Sequence, residues 1–162
     1  MCPSHERPPG NGFTAVELIV VIALIGFLLG TVVVAIDPVT RFKNARNQQR
    51  HADVAVLLGA LYQYYGDNRG NIPSTIDSVT ASAQVLGSNA TGCDASCTAT
   101  TTAVACLDLT SSLVDKYLLD IPIDPQTGTS GNSDYFVNVL AGNHIVVGVC
   151  DPENNATISV TR

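Results

Sequence analysis

Chemistry in this chain could reside in three sets of side chains. Glu17 sits near the front of the apolar run GFTAVELIVVIALIGFLLG, residues 12 to 30. An ionised acid at the centre of a bilayer costs roughly 2.5–3.5 kcal/mol on insertion scales, so an acid in such a run calls for a partner. Cys93, Cys97, Cys106 and Cys150 all fall in the small domain beyond that run. In an oxidising compartment they form two disulfides with three possible connectivities; elsewhere they are buried free thiols. Zinc on Cys93 and Cys97 is the poorer assignment, because neither a CxxC pair nor a paired His accompanies them. Asp124, Asn132 and Asp134 border an oxygen-rich loop. Such hard ligands hold Ca²⁺, although this spacing fits no EF-hand template.

No catalytic set emerges from the remaining residues. His5, His51 and His144 are scattered, with no GxSxG or comparable nucleophile setting. The glycine-rich TGTSGNS has no Lys in P-loop position and reads as a plain loop. The chain is expected to be no enzyme, and to need no cofactor unless calcium binds at that loop.

The elements that position these groups begin with the membrane-like run. With 162 residues and a net charge of −6, the chain has room for one membrane segment and one small domain. Leu18 to Ile36 carries no formal charge, and Phe13 to Ile36 is long enough, at ~1.5 Å per residue, to span a ~30 Å hydrocarbon core. A secretory signal has a shorter apolar core of about 7–15 residues and then a small-residue cleavage site. Here the polar stretch MCPSHERPPGNG precedes the run and reads as a detachable leader, which removes Cys2 from the cysteine count.

Helical signals continue beyond Asp37 and Pro38. Val54, Leu57, Leu58, Leu61, Tyr62 and Tyr65 follow the spacing of one apolar helix face, and Asn68, Gly70 and Pro73 supply stop signals. Phe13 to Asp67 is therefore one helix or two collinear ones, bent near Pro38 because proline removes an interior hydrogen bond. The polar stretch Arg41 to Arg50 has no evident core to join, so it is either solvated or covered by something else. Residues 74–112 read as loop, and LTSSLVDKYLLDIP as a short helix. DYFVNVLAGNHIVVGVCDPENNATISVT holds three apolar runs separated by turn chemistry, an antiparallel three-stranded sheet. The expected class is α+β: residues 1–12 leader, 13–36 membrane helix, 37–67 its amphipathic continuation, and 68–162 a globular head.

Gly12, Phe13, Thr14 and Glu17, followed by the long apolar run, resemble the processing site of type IV pilins and pseudopilins. RFKNARNQQRHADVAVLLGALYQYYGDNRGNIP and YLLDIPIDPQTGTSGNSDYFV are also similar, less specifically, to pilin and pseudopilin helix and loop tracts. The resemblance implies a long helix packed on an antiparallel sheet. It implies cleavage after Gly12 by a prepilin peptidase, N-methylation of Phe13, and pairing of the new amine with Glu17 of a neighbouring subunit. Gly26 and Gly30 form a small-xxx-small pair that admits close helix approach. The implied product is a homo-oligomeric helical filament, with an inner-membrane assembly platform, an assembly ATPase and minor pilins as partners. The subunit would lie in the cytoplasmic membrane before assembly, and in a cell-surface or periplasmic filament after it.

Other members of that class are a type II secretion pseudopilin, some of which bind calcium in the corresponding loop, and a competence pilin in DNA uptake. A membrane-anchored binding domain is the alternative outside it. Nucleic acid is an unlikely partner, since beyond Asn71 the acids far outnumber Lys116 and Arg162. The chain departs from many pilins in having Val34 where they carry proline. Its basic Arg41, Lys43, Arg46 and Arg50 also follow the membrane run, opposite to the positive-inside rule. Asn89-Ala90-Thr91 and Asn155-Ala156-Thr157 are glycosylation sequons, the second preceded by Glu153.

Overall fold

The structure, a computed structural model, describes residues 12–162. Residues 1–11 of the expected leader, with Cys2 and His5, lie outside the described residues. The chain divides into two units, one ending at Val39 and the other running Thr40–Arg162.

The first unit is built on α1, Ala15–Ile36. Thr14, in extended conformation, caps its N-terminus, and the run that follows is uncharged beyond Glu17. None of its 22 residues is buried. This helix is long and apolar enough to cross a membrane. It stops at Asp37, whose backbone is left-handed (φ 43°). Pro38 then opens α2, Pro38–Asp67, as its first residue, where a missing N–H costs nothing. Sequence spacing left one helix or two; there are two, and the break is at Asp37.

The rest of α2 belongs to the second unit. Val54, Leu57, Leu58 and Leu61 are buried, and pack with Tyr135, Val137, Val139, Ile145, Val147 and Val149 in one core. The helix ends where Asn68 and Gly70 donate back to the carbonyls of Tyr64 and Tyr65, with Arg69 and Gly70 both at positive φ.

The sheet is antiparallel and four-stranded, in the order β1 (Gln84–Val85), β2 (Tyr135–Leu140), β3 (His144–Val149), β4 (Ser159–Thr161). Tyr135 pairs with Val149, Val137 with Val147 and Val139 with Ile145, so one face of alternating residues meets α2. Phe136 and Cys150 lie in a second cluster with Ala83, Val85 and Cys93, on the opposite face. There Gly148 lets the Phe136 ring lie against the backbone, and a Cβ would collide with that ring. The sheet is thus covered by α2 on one side and by the cysteine-rich loops on the other.

Two elements depart from the sequence pattern, one through long-range pairing and one through local backbone geometry. Strand β1 was hidden in the Ser- and Thr-rich loop region, because two residues carry no periodicity. The expected helix around LTSSLVDKYLLDIP shrinks to α3, Thr110–Leu113, since Asp115 takes positive φ immediately after it.

Disulfides join Cys93 to Cys106 and Cys97 to Cys150. The second ties the cysteine-rich loops to the end of β3 across a sequence separation of 53. Replacing Cys97 and Cys150 together by Ala is expected to cost about 2–5 kcal/mol, the usual loss for a native disulfide in a small domain. Denaturant unfolding of the full chain in detergent, followed by near-ultraviolet circular dichroism, measures it.

Candidate functional site

Gly12 and Phe13 precede α1 in non-helical conformation, and Phe13 is 92% exposed. The Glu17 carboxylate accepts hydrogen bonds from the Thr14 backbone N–H (2.9 Å) and the Thr14 hydroxyl (2.8 Å), while Thr14 Oγ1 accepts from the Glu17 N–H (3.2 Å). This is a capping box, which satisfies two of the donors that a helix N-terminus leaves open. Glu17 therefore has a partner within its own chain. The signal was present in the sequence as Thr-x-x-Glu ahead of an apolar run.

Further along α1, Gly26 and Gly30 open a groove of about 480 Å³ with Phe27, Thr31, Val34 and Ala35. A Cβ at either glycine would meet nothing within 4 Å. The single hydroxyl in the groove, Thr31, donates to the Leu28 carbonyl at 2.8 Å, so its polarity is spent inside the helix.

The head carries a second constellation, which the sequence did not announce. Arg50 on α2 is fully buried. Its Nε and Nη2 donate to the two Asp124 oxygens (2.5 and 3.0 Å), and its Nη1 donates to Asn47 Oδ1 (2.9 Å) and Glu153 Oε2 (3.0 Å). Arg46 adds a bidentate pair to Glu153 (2.6 and 2.5 Å). Asn47 exchanges bonds with the Glu153 backbone, donating to its carbonyl and accepting from its N–H. Arg46, Asn47 and Arg50 lie on the same helix face as Val54 and Leu57, at the 3- and 4-residue spacing. One face of the polar stretch, at Arg46, Asn47 and Arg50, is therefore covered by the chain's own loops, while Arg41, Asn44, Gln48 and Gln49 are exposed.

These partners set the acids. Burial pushes the Asp124 carboxyl up, but the bonds from Arg50 and from the backbone N–H groups of Gln126 and Thr127 outweigh it, and it ends below its ordinary range. Hydrogen bonding from Arg46, helped by Arg50, pulls Glu153 down to about 2. Asp134 moves the other way, raised by burial. Tyr135 is also raised, by burial and by its bond to Asp53 (2.7 Å).

Of the three expected calcium ligands Asp124, Asn132 and Asp134, the first two are engaged within the chain. Both Asp124 oxygens face Arg50, and Oδ1 also accepts from Gln126 and Thr127. Asn132 Oδ1 accepts from the Asp134 N–H, and its amide donates to Ser96. Among the described residues no group of three or more His, Cys, Asp or Glu side chains could hold a metal ion. The counter-charge of Asp124 in the fold is the Arg50 guanidinium, whose position 74 residues away left no local signature.

Comparison with protein-family models, curated proteins and solved structures gave no match.

Arg50→Met should destabilise the head by about 3–5 kcal/mol, because it leaves the Asp124 charge buried without its counter-ion. Urea unfolding of the full chain in detergent tests this. Glu153 has a folded pKa below its unfolded one, so its contribution is full above pH ~4.3 and is lost as pH falls toward ~2. Thermal unfolding from pH 7 downward should show that acid loss, and Glu153→Gln should lower the neutral-pH midpoint and flatten the acid limb.

Proposed function

We propose that this chain is a structural subunit of a pilus-like filament, of the type IV pilin or pseudopilin kind, and performs no reaction itself. A prepilin peptidase hydrolyses the bond between Gly12 and Phe13, the new amine at Phe13 is methylated, and subunits polymerise through α1. The observation that carries this is α1 itself: 22 residues, uncharged beyond Glu17, of which none is buried, directly behind Gly12 and Phe13. A helix apolar all round needs lipid or other helices around it. In lipid, close approach at small residues replaces the hydrophobic drive, and the Gly26–Gly30 groove supplies a place for it.

The proposed path begins with the subunit inserted through α1 and its head beyond the membrane, where the two disulfides form. Cleavage puts a positive charge at Phe13, adjacent to the Thr14 N–H that already donates to Glu17. The carboxylate then carries two duties, capping its own helix and attracting an amine, its own or that of a neighbour. An assembly platform and ATPase would move the subunit from bilayer to filament.

The capping box also favours a membrane-anchored domain that never assembles, since Thr14 already gives Glu17 a partner. Mass spectrometry of the N-terminal peptide, with and without a prepilin peptidase, separates the two. A new terminus at Phe13 supports the filament subunit, and retention of residues 1–12 beside active peptidase supports the anchor. Glu17→Gln divides the two duties, because Gln still completes a capping box but carries no charge. It should be cleaved normally and give a much reduced filament yield by electron microscopy; normal yield would leave capping as the sole role of Glu17.

A further inference from the structure

The Asn155 sequon is the motif in the head that filament assembly leaves unused, and its setting differs sharply from that of the Asn89 sequon. Residues 153–156 form a tight turn, closed by the Ala156 N–H donating to the Glu153 carbonyl at 3.1 Å. Asn154 and Asn155, at its apex, take left-handed backbone conformations (φ 57° and 53°) that Asn tolerates well. The turn is anchored on both sides, by Glu153 in the arginine clamp and by buried Ile158. Asn155 and Thr157 are both exposed, as are Asn89 and Thr91, so the folded head leaves room for a glycan already attached at either sequon.

Beside Asn155 lies a groove of about 310 Å³. Thr98, Thr157 and Ser159 line it together with Pro152 and Phe136, and the Thr98 hydroxyl donates to the Cys150 carbonyl and to Asp151. Hydroxyls beside apolar surface suit a sugar ring, which carries both kinds of face. Asn89 has no such setting. Its N–H donates to the Gly131 carbonyl, its own carbonyl accepts from the Cys106 N–H, and its side chain lies against Gly131.

We infer that Asn155 is an N-glycan acceptor whose first sugar lies in the adjoining groove. The donor class is an oligosaccharide on a polyprenyl diphosphate, and an oligosaccharyltransferase is the catalyst. Asn155 Nδ2 forms a bond to the anomeric carbon, the bond from that carbon to the diphosphate oxygen breaks, the diphosphate leaves with the electron pair, and one amide proton passes to a base of the transferase. Glu153 stands two residues ahead of Asn155, where some transferases read an acid; Gly87 holds that place ahead of Asn89. In the folded head Arg46 and Arg50 hold Glu153. Transfer by an acid-reading enzyme therefore precedes docking of α2 onto the 151–154 loop.

This inference rests on export of the head, which filament assembly also requires. The test is co-expression of the full chain with an acid-reading oligosaccharyltransferase and its lipid-linked oligosaccharide. Free thiols are blocked before reduction, and tryptic peptides are then weighed. Lys116 separates the two sequons, placing Asn89 on peptide 70–116 and Asn155 on peptide 117–162. The expected result is the glycan mass on the second peptide alone, lost in Asn155→Gln and in Thr157→Ala, and kept in Thr157→Ser. Oxidised cysteines with an unmodified second peptide would overturn the site and leave the filament subunit standing. Cysteines found reduced would overturn export, and with it both proposals.

Discussion

The architecture of the head depends on one buried guanidinium. Arg50 reaches from α2 to Asp124 in the loop before β2 and to Glu153 in the turn before β4, so a single side chain fixes two loops that are far apart in sequence. Its burial would be prohibitive alone. It is tolerated because four hydrogen bonds and two carboxylates surround it, and because Asn47 and Arg46 complete the satisfaction of Glu153. A buried pair of this sort adds little net stability over apolar packing, but it punishes any arrangement that leaves one partner unpaired. The clamp thus selects how α2 lies on its loops more than it strengthens the fold.

The two faces of the sheet show the same division between generic and specific forces. On the α2 side, apolar packing of Val, Leu and Ile residues from both elements supplies the bulk of the burial. On the other side the layer is thin, and covalent ties at Cys93–Cys106 and Cys97–Cys150 do what a second helix would do in a larger domain. The Asn155 turn sits between the clamp and the cysteine-rich layer. It inherits rigidity from both while exposing its apex.

In the first unit the balance is reversed. The helix α1 satisfies its backbone, its N-terminus and its one hydroxyl internally, but buries none of its apolar surface. Its polar requirements are met within the chain, and among the described residues nothing covers its apolar surface. That surface is long and apolar enough to cross a membrane.

Much of this was legible in the primary structure, for reasons that concern range. Apolar run length, the Thr14-to-Glu17 spacing, the Val54-to-Leu61 face and the alternation in residues 135–149 are all local, and each is fixed by the period of one helix or strand. These determined an α+β chain with one membrane-length helix and a hairpin. The cysteine pairing, the two-residue β1 and the partners of Arg50 were not local. Four cysteines permit three pairings, and a polar helix face names no counterpart. Only closure of the tertiary structure, by bringing Asp124 and Glu153 to the same guanidinium and Cys150 beneath Phe136, decided which distant groups would meet.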